Sequence, residues 1–271
     1  MLVAMVRRLL RQGLAGTAML LLGIVVFQFI YPYITDSLGG EEGLENLVSQ
    51  LPPSMQALAQ MSPEFLAMSG TAGFLARGYD HPVYLVLSIA AMVAFTGRAI
   101  GGEVGAGTLA LSLSRPIPRW RIYLARVLGV GAICVAFGAA GPIATWIGVS
   151  VSGLAADLPA SNLVAMAVLG MLFTWAIGGL TLMVSARSSS TGQVVGWATG
   201  YLVIAYFVDV FAELWSVLEP VRPLSLFRWF DTSATMVDGR VPVDSAVVLG
   251  GVGLVAMVAG WIVFRQRDFI V

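Results

Sequence analysis

Few of the side chains that usually carry enzymatic chemistry occur in this chain, and they stand far apart. The single histidine, His81, precedes Pro82, and the single cysteine, Cys134, lies inside an apolar run where a buried, inert thiol is expected. No nucleophile–base–acid triad can be assembled from these two positions. All fifteen basic residues are arginine, so a GxxxxGK[ST] phosphate loop is impossible without lysine. Glu41, Glu42 and Glu45 come without a histidine, which reads as a solvated face rather than a metal site. Asp209 and Glu213 sit one helical turn apart near the end of an apolar run. That pair is either a solvated helix terminus or a proton relay, because carboxylates within a membrane often mark such paths. No catalytic, cofactor-binding or metal-ligating residue is therefore assigned to this chain, and no enzyme activity of its own is expected.

Chemistry of another kind concentrates between Arg98 and Arg126, in RAIGGEVGAGTLALSLSRPIPRWRIYLAR, which holds five of the fifteen arginines and one acidic residue, Glu103. Pro116 and Pro118 lack a backbone donor and push the residues before them out of the helical region. The stretch thus reads as a short helix around Glu103–Leu113, followed by a new helix starting near Arg119.

The elements that must position this stretch are membrane spans. At 58% hydrophobic and 11% charged, the chain is far from the roughly 25% charged composition of soluble domains. Six runs approach or exceed the roughly 20 apolar residues that cross a bilayer as a helix. They fall near 14–34, 83–97 with the small residues that follow, 122–151, 163–186, 192–218 and 245–264. The start, Met1–Arg11, lacks the apolar core and cleavage site of a signal peptide, so the first run is read as a retained span. A Gly141-Pro142 kink is expected in the third span. Residues 35–81 form the largest polar segment, acidic, with proline punctuation that suggests two short surface helices. Residues 219–244 form a second one, rich in aromatics.

Residues 1–12 place Leu2, Met5, Val6 and Leu9 on one side and Arg7, Arg8 and Arg11 on the other. This reads either as an amphipathic helix lying in the membrane surface or as a plain basic flank orienting the first span. Six spans put eleven arginines on one side and four on the other (Arg77, Arg222, Arg228, Arg240). The positive-inside rule then makes both termini and the 98–118 loop cytoplasmic. Zero net charge gives no field-driven attraction to nucleic acid, and membrane lipid is the expected surrounding. The expected fold is an all-α integral membrane protein in one transmembrane domain, 1–271.

Small-residue rows add a packing signal. Gly97, Gly101 and Gly105 continue the second span, and Gly192, Gly196 and Gly200 open the fifth. Glycines at four-residue spacing permit close helix approach, either within the chain or against a second copy.

The Arg98–Arg126 stretch resembles the membrane subunits of ABC-2 type ABC exporters. That family has a Glu, then Gly-Thr-Leu, a short helix and a Pro-x-x-Arg step into the third span. Here the matching residues are Glu103, Gly107-Thr108-Leu109 and Arg115-Pro116-Ile117-Pro118-Arg119. The ending FRQRDFIV also resembles the family's aromatic-basic-Asp terminus. The resemblance implies a bacterial or archaeal inner-membrane permease that pairs with a second copy or paralogue and with two ABC ATPase subunits, which would bind ATP and magnesium. It implies a coupling helix seated on the ATPase, with Glu103, Gly107, Thr108, Leu109, Arg115, Pro116 and Arg119 in that role. It places Gly192, Gly196, Thr199, Gly200 and Tyr206 at the pathway and dimer interface, and makes 219–244 re-entrant helices closing the exit. A non-transporting membrane sensor or scaffold, or an ion-coupled secondary transporter, is the alternative.

Overall fold

The computed structural model describes residues 2–37, 46, 49, 50, 52, 63–114, 116–152 and 158–268. Helices dominate, with no strand among the described residues. In chain order these are α1 (Leu2–Ser37), α2 (Pro63–Asp80), α3 (Pro82–Gly97), α4 (Thr108–Leu113), α5 (Arg119–Ser152), α6 (Ala160–Arg187), α7 (Thr191–Ala212), α8 (Thr232–Asp238) and α9 (Val243–Gln266). α1, α3, α5, α6, α7 and α9 are long and apolar enough to cross a membrane. The protein is thus a multi-pass membrane protein with six apolar helices.

α6 is the hub. It packs against α9, α5 and α3, while α1 runs along α5. Lipid gives helices no hydrophobic reason to associate, so close backbone contact and hydrogen bonds must hold them. Small residues supply that contact: a Cβ at Gly138 of α5 would meet the Met171 amide of α6 at 2.7 Å, and one at Gly179 of α6 would strike the Gly253 backbone of α9. Tyr123 of α5 adds a hydrogen bond, donating to the Met257 carbonyl of α9 at 2.7 Å.

Three expectations change. Of the two readings of 1–12, a separate surface helix does not form: residues 2–12 are the first three turns of α1, one uninterrupted helix of 36 residues. At 1.5 Å per residue it is about 54 Å long, well beyond a hydrocarbon core of about 30 Å. Leu9 is buried beside Gly129 of α5 and Phe95 of α3, which ties the segment to the bundle. Next, the fifth span stops at Ala212 rather than near 218, because Trp215 is extended and a 3₁₀ segment, Ser216–Leu224, carries Pro220 and Pro223. Finally, the polar segment 35–81 contributes α2, broken at Gly70, whose backbone is left-handed (φ 55°). The first of its two expected short helices lies outside the described residues. Pro142 lies inside α5.

An arginine-rich loop end and a polar cavity as candidate functional sites

Beyond Gly97 the second span does not stop. A π-helical turn, Arg98–Gly102, and one α turn, Glu103–Gly105, carry it on, and Gly107 then reverses the chain into α4. Gly107 has φ +69°, the left-handed region that costs an L-residue roughly 1–2 kcal/mol. A π turn is uncommon and often marks a functional position. Here it is braced from α6: the Gly101 amide donates to Ser185 Oγ at 2.9 Å, and Ser185 Oγ donates to the Gly97 carbonyl at 3.4 Å.

Glu103, the one acidic residue of the 98–126 stretch, is paired within the chain. Arg126 Nη2 of α5 donates to Glu103 Oε2 at 2.5 Å, with both side chains largely buried, 5% and 12% exposed. Arg119 likewise turns inward and donates to the carbonyls of Arg265 and Arg267 at 2.9 and 3.0 Å. Both are residues that the resemblance assigns to docking on a partner, and both already make these bonds within the chain. Thr108 Oγ1 donates to the Glu103 carbonyl, and Leu109 is buried. Pro116 is exposed, and Arg115 lies outside the described residues. What α4 presents outward is Leu111, 68% exposed, a position the sequence reading passed over.

Gly192, Gly196, Thr199 and Gly200 are all exposed on α7. A Cβ at Gly196 or Gly200 would meet nothing within 4 Å, so no helix among the described residues fills that row. Trp197 and Ile204, 74% and 65% exposed, flank it. Tyr206 does not share the row: six residues beyond Gly200 is about 240° around the helix. It faces inward, its ring 5.3 Å from that of Phe227.

A cavity of about 570 Å³ opens at the end of the bundle opposite α4, between α1, α2, α3, α7 and the segment 222–233. Asp209 and Glu213 meet here. Both bind one guanidinium, Arg222, through Nε to Asp209 at 2.9 Å and Nη2 to Glu213 at 2.7 Å. Through these two ion pairs Arg222 clamps the 3₁₀ segment to α7. Asp80 lies across the cavity, 3.2 Å from Arg77 and accepting from Thr232 Oγ1 at 2.6 Å. Burial pushes its carboxyl up to about 7, against the downward pull of Arg77 and Thr232. His81 is a helix-capping residue: its Nδ1 accepts from the Val83 amide at 3.2 Å. Asp80, Arg222 and Thr232 were not singled out from the sequence, since Asp80 meets Thr232, and Arg222 meets Asp209, only across separate segments. Cys134 is buried and no cluster able to hold a metal occurs among the described residues.

A family model described as ABC-2 family transporter protein matches residues 6–269, almost the whole chain. The chain belongs to the ABC-2 transporter family. It is therefore a membrane component of a transporter, of a family whose permeases lack an ATPase domain of their own and typically partner with an ABC ATPase. No curated protein matches it. Within this ABC-2 family protein, Leu111 of α4 and the glycine row of α7 are exposed, and the polar cavity is lined by residues of this chain.

Proposed function

We propose that this chain is the permease of an ATP-driven exporter in a bacterial or archaeal inner membrane, with both termini cytoplasmic. Two copies, or one copy and a paralogue, pair through α7. Two separate ATPase subunits bind ATP and magnesium and engage the loop that contains α4. The observation that carries this reading is α4 itself. It is a six-residue helix thrust past the second span, set off by a left-handed glycine, and it turns a leucine to solvent at the most basic end of the molecule. A mere connector between α3 and α5 has no need of an exposed leucine there.

The remaining assignments follow from position. Gly107 sets the angle of α4, while Thr108 and Leu109 hold it to the bundle. Pro116 and Arg119 fix where α5 begins, and Arg115 lies between them. Gly192, Gly196, Thr199 and Gly200 face the second copy. Tyr206 lines the cavity, which serves as the exit vestibule, with the 3₁₀ segments and α8 as the re-entrant closure. The buried ring stack of Phe230 on Phe173, centroids 4.2 Å apart, supports that part, because it roots the closing segment in α6.

The test is co-purification with a candidate ABC ATPase, comparing the parent with a version in which 108–113 is a Gly/Ser linker. Glu103 is kept so that Arg126 retains its partner. Retention of the ATPase by the parent and at least a tenfold loss by the linker version is the expected result. Equal retention by both would reduce α4 to a connector and bring the sensor or scaffold reading forward.

A further inference from the structure

The loop carrying α4 leaves α3 and enters α5, yet both of its ends converge on a third place, the turn Ser188–Ser190 between α6 and α7. From the front, the glycines of the α3 extension lie directly on it. A Cβ at Gly105 would stand 3.0 Å from the Ser189 carbonyl, one at Gly101 2.8 Å from Val194 Cγ2, and one at Gly102 2.7 Å from Thr191 Oγ1. At Gly105 backbone therefore meets backbone, while Gly101 and Gly102 each receive a side chain from the start of α7. From the rear, Arg119, the first residue of α5, grips the last carbonyls of α9. Arg267, just past α9, in turn reaches the turn. Its Nη1 donates to the Ala186 and Ser188 carbonyls at 2.9 and 2.8 Å, and its Nη2 donates to Ser189 Oγ at 3.1 Å. A guanidinium presents its donors in a rigid fork, so these three bonds fix direction as well as distance.

α7 is the element that this turn can move. Only 28% of its membrane window is buried within the chain, the lowest share of any span after α1. Near its arginine-rich end the one fully buried residue is Val194, seated on Gly97 and Gly101. We propose that Ser188–Ser190 is the receiving point of the α4 loop, and that Val194 and Arg267 are positioning residues that pass the loop's displacement to α7. This rests on the exporter reading above. A push on α4 shifts the α3 extension, the tight glycine contact shifts Val194, and Arg267 keeps the turn from yielding in the other direction. Interfaces packed this closely transmit shifts because they do not deform continuously.

The test does not need the cargo. Val217, 85% exposed beyond the far end of α7, is replaced by cysteine and spin-labelled in the full complex with the ATPase; native Cys134, 1% exposed, does not label. The distance between the two labels is measured without nucleotide and with ATP and vanadate. In the parent the distance is expected to change. Arg267→Gln and Gly101→Ala are expected to keep the ATPase bound and its hydrolysis within twofold, yet to lose at least half of the ATP-driven change. Arg267→Lys keeps the charge without the fork and should recover only part of it. Val194→Ala removes the side chain seated on Gly97 and Gly101 and should lose the change likewise. An unchanged distance shift in both Arg267→Gln and Gly101→Ala overturns the relay and leaves the exporter reading standing, as does a parent complex that hydrolyses ATP with no shift at all. If the parent never assembles with the ATPase, the exporter reading falls and the relay with it.

Discussion

Arg126 is 4% exposed on a membrane-spanning helix, a position no arginine holds without a counter-charge. Glu103 supplies it. Removing one partner of a buried pair leaves the other charge stranded, at a cost on the order of 3–5 kcal/mol. Glu103→Ala is therefore expected to destabilise the detergent-solubilised protein strongly, and Glu103→Gln less, since it still accepts a hydrogen bond. The reversed pair Glu103→Arg with Arg126→Glu should recover part of the loss. Thermal unfolding followed by size-exclusion fluorescence reads this out, and a Glu103→Ala variant as stable as the parent would show the pair to be incidental. Loss of coupling in Glu103 variants is thus to be judged only after their stability is known.

Asp80 makes the opposite kind of prediction, set by pH. Its folded-state value of about 7 lies above its ordinary 3.8, so the fold favours the protonated carboxyl. That contribution is complete below about pH 4 and is lost as pH rises through about 7. The side chain keeps 27% of its surface, so solvent softens the slope. The parent's melting temperature should fall between pH 5 and pH 8 by more than that of Asp80→Asn; identical profiles would remove Asp80 as the cause.

At the scale of elements, the two segments that matter most are short and joined to the bundle by few bonds. α4 owes its direction to Gly107. Gly107→Ala meets no neighbour, since a Cβ there has open space, so its cost is the left-handed backbone alone, about 1–2 kcal/mol. Weaker ATPase retention with little change in thermal stability is expected, and Gly107→Asn should be milder because asparagine tolerates that region. Retention unaffected by Gly107→Ala would show that the angle of α4 does not matter. At the far end, the 3₁₀ segment Ser216–Leu224 buries none of its residues and is held mainly by the Arg222 clamp, with Tyr201 donating to the Leu224 carbonyl. Arg222→Ala should therefore speed tryptic cleavage after the exposed Arg228 several-fold, as read by mass spectrometry of limited digests. An unchanged digestion rate would show that the segment is anchored elsewhere, for instance by the Phe227 and Phe230 rings.

The whole molecule is a bundle centred on α6 with one span, α7, left open along its glycine row. Cysteine at Gly200, which has no neighbour within the chain, is expected to form disulfide-linked dimers in membranes under mild oxidation. Cysteine at Gly138, locked against α6, is not. Absence of cross-linking at Gly200 and at Gly196 would mean that lipid, rather than a second copy, covers that face.

The sequence by itself settled the matters decided by apolar length. A run of some 20 apolar residues has one outcome in a bilayer, so the six spans, the all-helical class and the place of the short helix after the second span could be read directly. The family could be read as well, because Glu103, Gly107-Thr108-Leu109 and Pro116 to Arg119 lie close together in the chain. What it could not supply was the partner of any polar side chain. Glu103 and Arg126 are 23 residues apart, Arg119 and Arg267 148 apart, and Asp80 and Thr232 152 apart. Each pairing exists only because separate helices end at the same level of the bundle. Apolar length alone gave no hint that residues 2–12 continue α1, because their arginines interrupt the apolar run without breaking the helix. It also could not say that Asp209 and Glu213 share one arginine from a segment beyond their own helix. Hydropathy is a local property and is read locally; the charges that tie the two ends of this permease together are matched only after the spans have packed.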